Sequence, residues 1–227
     1  MKLSIPGYIT KVLIKCAHPT PNKARHGPRQ PEPIIYGPYQ PASPPNNRKD
    51  LTTDEKINFQ SILGSLLCYG KMIDSTMLTA INDLSIMQTK ATAASQRHLN
   101  TLLDYLFTNP NASILYRKSG MIVKVHSEES CLSVPGVRSR EARHFYLGNN
   151  TPIQQDEPYQ GEIYQECGIV KPIVASTAKC ETLALFLNCQ TTIVVRMTAK
   201  ELGHPQPATP TPVDNTTTKN HACNNLQ

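Results

Sequence analysis

Residues 112–148 read ASILYRKSGMIVKVHSEESCLSVPGVRSREARHFYLG. Ile114–Tyr116 and Met121–Val125 are apolar, β-branched runs on either side of Ser119-Gly120, so they predict a hairpin. His144–Leu147 predicts a further strand, ended by Gly148-Asn149. A polar loop follows over 149–161, then one or two strands within Tyr164–Val174. From Ala178 to Cys189 the period changes. Cys180, Leu183, Ala184 and Leu187 recur at helical spacing. Thr191–Arg196 returns to β-formers, while Lys200–Gly203 has the look of a helix end with glycine at C′. Strands followed by helices predict a mixed α/β domain over 111–227. It ends in a segment broken by Pro205, Pro207, Pro210 and Pro212 and a polar tail.

Working towards the N-terminus, residues 51–110 are helical in pattern. Thr53 is the expected N-cap, with Lys56 at N3, so no capping box is predicted. Ile57, Leu63, Leu66, Leu67 and Gly70 form a first helical stripe. Asp74 opens a second, with Met77, Ala80, Ile81, Leu84 and Met87. The third carries Leu99, Leu102, Leu103, Leu106 and Phe107, and Asn109-Pro110 stops it. Three such helices can bury one small core. Residues 1–50 are expected to be an N-terminal segment and linker. It begins with a short helix after Pro6, with Tyr8, Val12 and Leu13 on one face. Nine prolines between 17 and 50 exclude helix and central strand there, which suits a linker or a proline-rich interaction segment.

The formal charge of +6 fits a phosphate-backbone partner. Seven cysteines contain no Cys-x-x-Cys pair, which argues against a zinc site or a disulfide framework. They read as reduced thiols inside a cell. No run of about eighteen apolar residues exists, and Pro6, Gly7 and Lys11 interrupt the N-terminal apolar stretch. The expected location is intracellular, cytoplasmic or nuclear, with no membrane partner and no secretion.

Several strings then stand in a telling order: Ser4–Ile9 (SIPGYI), Ile62–Tyr69 (ILGSLLCY), Asp74–Leu78 (DSTML), His126–Ser133 (HSEESCLS), Val137–Arg140 with His144–Leu147, Ser176–Glu181 (STAKCE), Glu201–Pro207 (ELGHPQP) and Asp214–Thr217 (DNTT). Together they resemble, collinearly over nearly the whole chain, the polyprotein of copia-type retrotransposons. The resemblance implies the end of a reverse transcriptase followed by a truncated ribonuclease H domain, whose fold is a mixed sheet flanked by helices. It places the polymerase palm upstream of Met1.

Ribonuclease H chemistry hydrolyses the RNA strand of an RNA–DNA hybrid. Two divalent ions held by about four carboxylates activate water and stabilise the leaving oxygen. The resemblance assigns these catalytic, metal-binding roles to Glu128, Glu181 and Asp214. The metal is magnesium, or manganese in its place. Glu128 stands for an aspartate at the end of the first strand, and its extra methylene moves the oxygens by about an ångström. Lys179 replaces an acid near Glu181. Asp214 would end a short strand. The fourth carboxylate would fall beyond Gln227. Ala142 and Arg143 stand where the family has paired glycines. His126, His144 and His204 match family histidines with structural roles. An inactive or nearly inactive descendant is therefore expected. Arg138, Arg140 and Arg143 form the candidate nucleic-acid contact, because phosphate recognition needs only charge and reach. A non-catalytic nucleic-acid-binding remnant, or a gene fragment without a role, is the alternative.

Overall fold

The computed structural model describes residues 1–29, 49–134, 138–151, 160–174, 176–213 and 216–224. The proline-rich stretch from 30 to 48, most of the polar loop after Asn149, and Asp214 lie outside them. Contacts divide the chain into two compact units, Lys2–Ile114 and Leu115–Gln227, the latter with Met1. The architecture is mixed α/β, with a three-stranded sheet and flanking helices.

The first unit is helical. It contains α1 (Tyr8–Lys15), α2 (Thr53–Met72), α3 (Leu78–Met87) and α4 (Ala93–Thr108). Its core is one cluster in which Phe59, Leu66, Met77, Ile81, Leu99, Leu102 and Leu106 are almost wholly buried. Ile9, Val12 and Leu13 of α1 join that cluster, so the N-terminal helix belongs to the bundle rather than to a separate segment. Tyr8 stacks on Tyr69 at 5.3 Å, and its hydroxyl donates to the Ser65 carbonyl at 3.0 Å.

The N-cap of α2 is Thr52, one residue earlier than expected. That shift places Glu55 at N3 and completes a capping box. The Glu55 amide donates to Thr52 Oγ1 at 3.3 Å, and the Thr52 amide donates to Glu55 Oε2 at 2.8 Å. Both orphan donors are thereby satisfied. Asp74 caps a single 3₁₀ turn, Ser75–Met77, which leads into α3.

The second unit is built on an antiparallel sheet. Its strands β3 (Ile122–Val134), β4 (Arg138–Gly148) and β5 (Glu162–Ile169) pair in sequence order. The two-residue strand β1 (Lys2–Leu3) belongs to the first unit, and β2 (Ile114–Leu115), at the boundary, does not pair with β3. The hairpin expected around Ser119-Gly120 is therefore absent. Helix α5 (Thr177–Glu201) crosses the sheet, and α6 (Thr216–Asn224) packs on α5.

The β-branched run Thr191–Arg196 lies inside α5, contrary to its local propensity. Two features make this tolerable. Thr191, Thr192 and Thr198 each donate back to the carbonyl four residues earlier, which satisfies their hydroxyls within the helix. Burial of Thr192 and Ala199 outweighs a propensity cost of a few tenths of a kcal/mol per residue. Gly203 ends the helix at φ +89°. Its amide reaches Lys200 O and the His204 amide reaches Ala199 O, both at 3.0 Å, the paired closure that a left-handed C′ residue permits.

Candidate active site

Strand alternation decides which side chains meet α5. Val123 and Val125 of β3 and Phe145 of β4 pack with Ala199, Val195 and Leu147 into a small apolar core. Val125 pairs with Phe145, and the register continues regularly through Ser127–Arg143, Glu129–Glu141 and Ser130–Arg140. The odd-numbered residues of both strands therefore face α5. Past Phe145 that inward face turns polar: Ser127, Glu129 and Cys131 on β3, then Arg143, Glu141 and Ser139 on β4. The facing stripe of α5 answers in kind, with Cys180, Ala184, Asn188 and Thr192 buried at every fourth residue.

Arg143 is the hub of this polar half. Its guanidinium donates to Leu187 O at 2.6 Å and to Thr191 Oγ1 at 2.9 Å. It also pairs with Glu141 Oε1 at 3.0 Å and Glu166 Oε2 at 3.1 Å. Burial raises the Glu141 carboxyl above its ordinary range. Arg143 opposes that shift and the Glu166 charge adds to it. Tyr164 donates to Glu166 at 3.0 Å.

At the open end of the strip, donor atoms of Glu129, Cys131 and Cys180 all lie within 4.8 Å of one another. Cys131 and Cys180 sulfurs are 2.6 Å apart, and Ser139 Oγ lies 3.2 Å from Cys180 Sγ. Burial, then the contact with Cys131, pushes the Cys180 thiol up to about 11. It is therefore a thiol, not a thiolate, at neutral pH.

Glu128 and Glu181, the two sequence-derived carboxylates among the described residues, are not brought together. Glu128 is exposed and sits in the middle of β3, opposite Ala142, rather than at a strand end. Its even position turns it away from α5. Glu181 flanks the buried stripe of α5, and its Oε2 is shut off from solvent. One carboxylate thus lies on each side of the sheet, and Asp214 is outside the described residues. Magnesium or manganese demands several oxygens converging on one point, which Glu128 and Glu181 do not supply. The Glu129, Cys131 and Cys180 trio offers two sulfurs and one carboxylate, a softer set than magnesium selects. Among the described residues, Glu128 and Glu181 do not fit a two-ion arrangement.

The three arginines also separate. Arg138 is exposed, Arg140 is buried on the face away from α5, and Arg143 is buried beneath α5. The two terminal nitrogens of Arg143 are held by two acids, a helix carbonyl and Thr191 beneath α5, so it does not form a surface with Arg138. On the outer face, His126 stacks on Tyr146 at 5.3 Å and bonds its hydroxyl at 3.1 Å. His144 tilts against the same ring at 5.7 Å, and burial lowers its basicity.

Comparison with known proteins gives no assignment: no family model, no curated protein and no solved structure matches the chain. Among the described residues, no helix is long and apolar enough to cross a membrane.

The polar strip under α5 was missed in sequence reasoning. Its signal was present in the period-two pattern. Glu129, Cys131, Glu141 and Arg143 share parity with Val123, Val125 and Phe145, so continuing the strand inwards would have placed them under the helix.

Proposed function

We propose that this chain is a degenerate piece of a copia-type retroelement polyprotein, its second unit descended from a ribonuclease H domain. Its ancestral role is hydrolysis of RNA in RNA–DNA hybrids. The observation that carries this reading is positional. HSEESCLS falls in one strand, HFYL in the next, and STAKCE at the start of the helix laid across them. Ser176 is the N-cap of that helix, and its hydroxyl accepts from the Lys179 amide. Glu181 follows near the start of that helix, beside its buried stripe, and the resemblance assigns an acid to this position.

Loss of activity is part of the same proposal. With Glu128 turned outwards and Arg143 filling the space beneath α5, no carboxylate pair among the described residues is arranged to hold two ions. The test is incubation with an end-labelled RNA–DNA hybrid in magnesium and in manganese. The expected result is no cleavage above a protein-free control. Cleavage that disappears in Glu181→Gln would refute the inactivity. Ancestry is tested separately in the flanking genomic DNA. Palm-coding sequence upstream of Met1, intact or broken by stops, is expected, and unrelated sequence on both sides would refute descent.

The non-catalytic binding reading keeps one member of its arginine trio on the surface, Arg138, with Arg117 and Lys118 also exposed. Hybrid binding that weakens steeply with salt and is reduced by Arg138→Ala would favour it.

A further inference from the structure

Cys131 and Cys180 are separated by 48 intervening residues, yet the fold seats one against the other. Cys131 opens a bulge in β3. The ladder is regular to Ser130–Arg140 and resumes at Val134–Arg138, so three residues of β3 oppose Ser139 alone. Leu132, at the bulge centre, has φ +53°, a left-handed conformation unusual for leucine. Ser139 holds this geometry from two sides. Its Oγ accepts from the Leu132 amide at 3.0 Å and lies 3.2 Å from Cys180 Sγ. Cys180 is in the first turn of α5, whose start is fixed by the Ser176 cap. Bulge, serine and cap therefore aim two free thiols at each other from a strand and a helix.

We propose that Cys131 and Cys180 are an oxidation site, a thiol pair that closes into a disulfide between β3 and α5. The sulfurs stand at 2.6 Å, about half an ångström beyond an S–S bond of about 2.05 Å, so closure needs little movement. The division of roles follows from exposure. Cys131 is partly exposed and meets the oxidant, a hydroperoxide. Cys180 is buried and resolves the product. In the first step the Cys131 sulfur attacks a peroxide oxygen: an S–O bond forms, the O–O bond breaks, and the thiol proton leaves with the departing oxygen as water or an alcohol, giving a sulfenic acid. In the second, the Cys180 sulfur attacks the Cys131 sulfur. The S–S bond forms, the S–O bond breaks, and hydroxide leaves with the Cys180 proton as water. Across both steps the two thiols lose two electrons and two protons to the peroxide.

Metal binding by the same trio is the competing use. Two thiolates on one zinc ion, each about 2.3 Å from it in tetrahedral geometry, must stand well apart. The observed approach is too close for that and favours closure between the sulfurs.

The test uses the full chain, reduced, freed of reductant and titrated with hydrogen peroxide. Remaining thiols are then alkylated, and the protein is digested without reduction for mass spectrometry. Cys180 and Cys189 share one tryptic peptide, Cys180–Arg196, so variants are needed to assign the link. The expected result is a cross-linked pair containing Cys131 in the wild type and in Cys189→Ser. It should be lost in Cys180→Ser and in Cys131→Ser, and reversed by dithiothreitol. A link that persists in Cys180→Ser, or Cys131 and Cys180 that alkylate after oxidation as readily as exposed Cys68, would overturn the proposal. So would protection of both thiols in the reduced protein by added zinc and its loss on chelation.

Discussion

Arg143→Met removes the cation from a buried, four-partner network while keeping most of the side-chain volume. Arg143 and Glu141 expose only 8% and 11% of their side chains, so solvent cannot replace the lost partner. Breaking a buried ion pair by deleting one member costs about 3–5 kcal/mol, most of it the stranded charge. That part of the cost is pH-dependent, and its sign follows from Glu141. Burial raises its native pKa above the ordinary 4.5, and Arg143 partly restrains the rise. The native state therefore holds its proton more tightly than the unfolded chain. The resulting stability is complete below pH 4.5 and is lost as pH climbs through the native value. Without Arg143 the native value climbs further and the loss deepens. The variant should thus be about 3–5 kcal/mol less stable near pH 7.5. At pH 4.5 the deficit should shrink towards about 1–2 kcal/mol, the worth of the remaining hydrogen bonds. The basicity of His144 is set by burial and its neighbours Glu162 and His126, not by Arg143, so it is common to both proteins, and the difference between them reports the carboxylates that Arg143 pairs with. Hydrogen exchange of β4 amides in a urea series measures the second unit alone. A deficit below about 1 kcal/mol at pH 7.5, or one that grows on acidification, would refute the buried-pair reasoning.

Gln206→Ala should open the edge of β3. The Gln206 side chain accepts from the Val123 amide and donates to Met121 O, both at 2.9 Å, and each bond is worth about 1 kcal/mol. Exchange of the Val123 amide should rise about tenfold or more, and an unchanged rate would contradict the edge-cap role. Gly148→Ala would set a Cβ 2.8 Å from Cδ of the wholly buried Lys124. It should cost about 1–3 kcal/mol by urea unfolding, largely recovered in the Gly148→Ala, Lys124→Ala double variant. Thr52→Ala should destabilise the helical unit by about 1 kcal/mol, read as helical signal in the same titration. Because the Thr52 amide and hydroxyl hold the Glu55 carboxyl below its ordinary value, the wild-type advantage should fade as pH drops through the native Glu55 value. An advantage that persists unchanged into strong acid would count against the capping box.

The helical unit was legible because its information is local. Leu99, Leu102, Leu103 and Leu106 announce one face of α4 wherever the rest of the chain goes, and all four are buried. The cap of α2 slipped by one residue because Thr52 and Thr53 are chemically alike, and only Glu55 at N3 distinguishes them. The α/β unit was legible in kind but not in detail. Ser127–Ser133 has few β-formers, so the residue pattern carries the strand only to Val125, and the resemblance ends it at Glu128. Pairing with β4 carries it on to Val134, and that pairing is a non-local interaction that outweighs propensity. Thr191–Arg196 shows the converse, β-formers drawn into a helix by burial against a sheet encoded elsewhere in the chain.

The strand end mattered more than its length suggests. The loop after a strand can swing an acid at the strand's end to either side, which is what placing Glu128 beside Glu181 requires. An acid inside a paired strand has its side fixed by parity. A one-residue difference then decides the chemistry: Glu129 faces α5 among thiols and ion pairs, while Glu128 faces outwards. Moving Glu128 inwards would require a register slip that also turns Val123 and Val125 out of their core. Those two valines, with Phe145, are the main apolar attachment of α5 to the sheet. The packing that keeps this unit folded is therefore the same packing that holds the two acids apart. Restoring a carboxylate pair by mutation would have to start from Glu129, at the expense of its place beside Cys131 and Cys180.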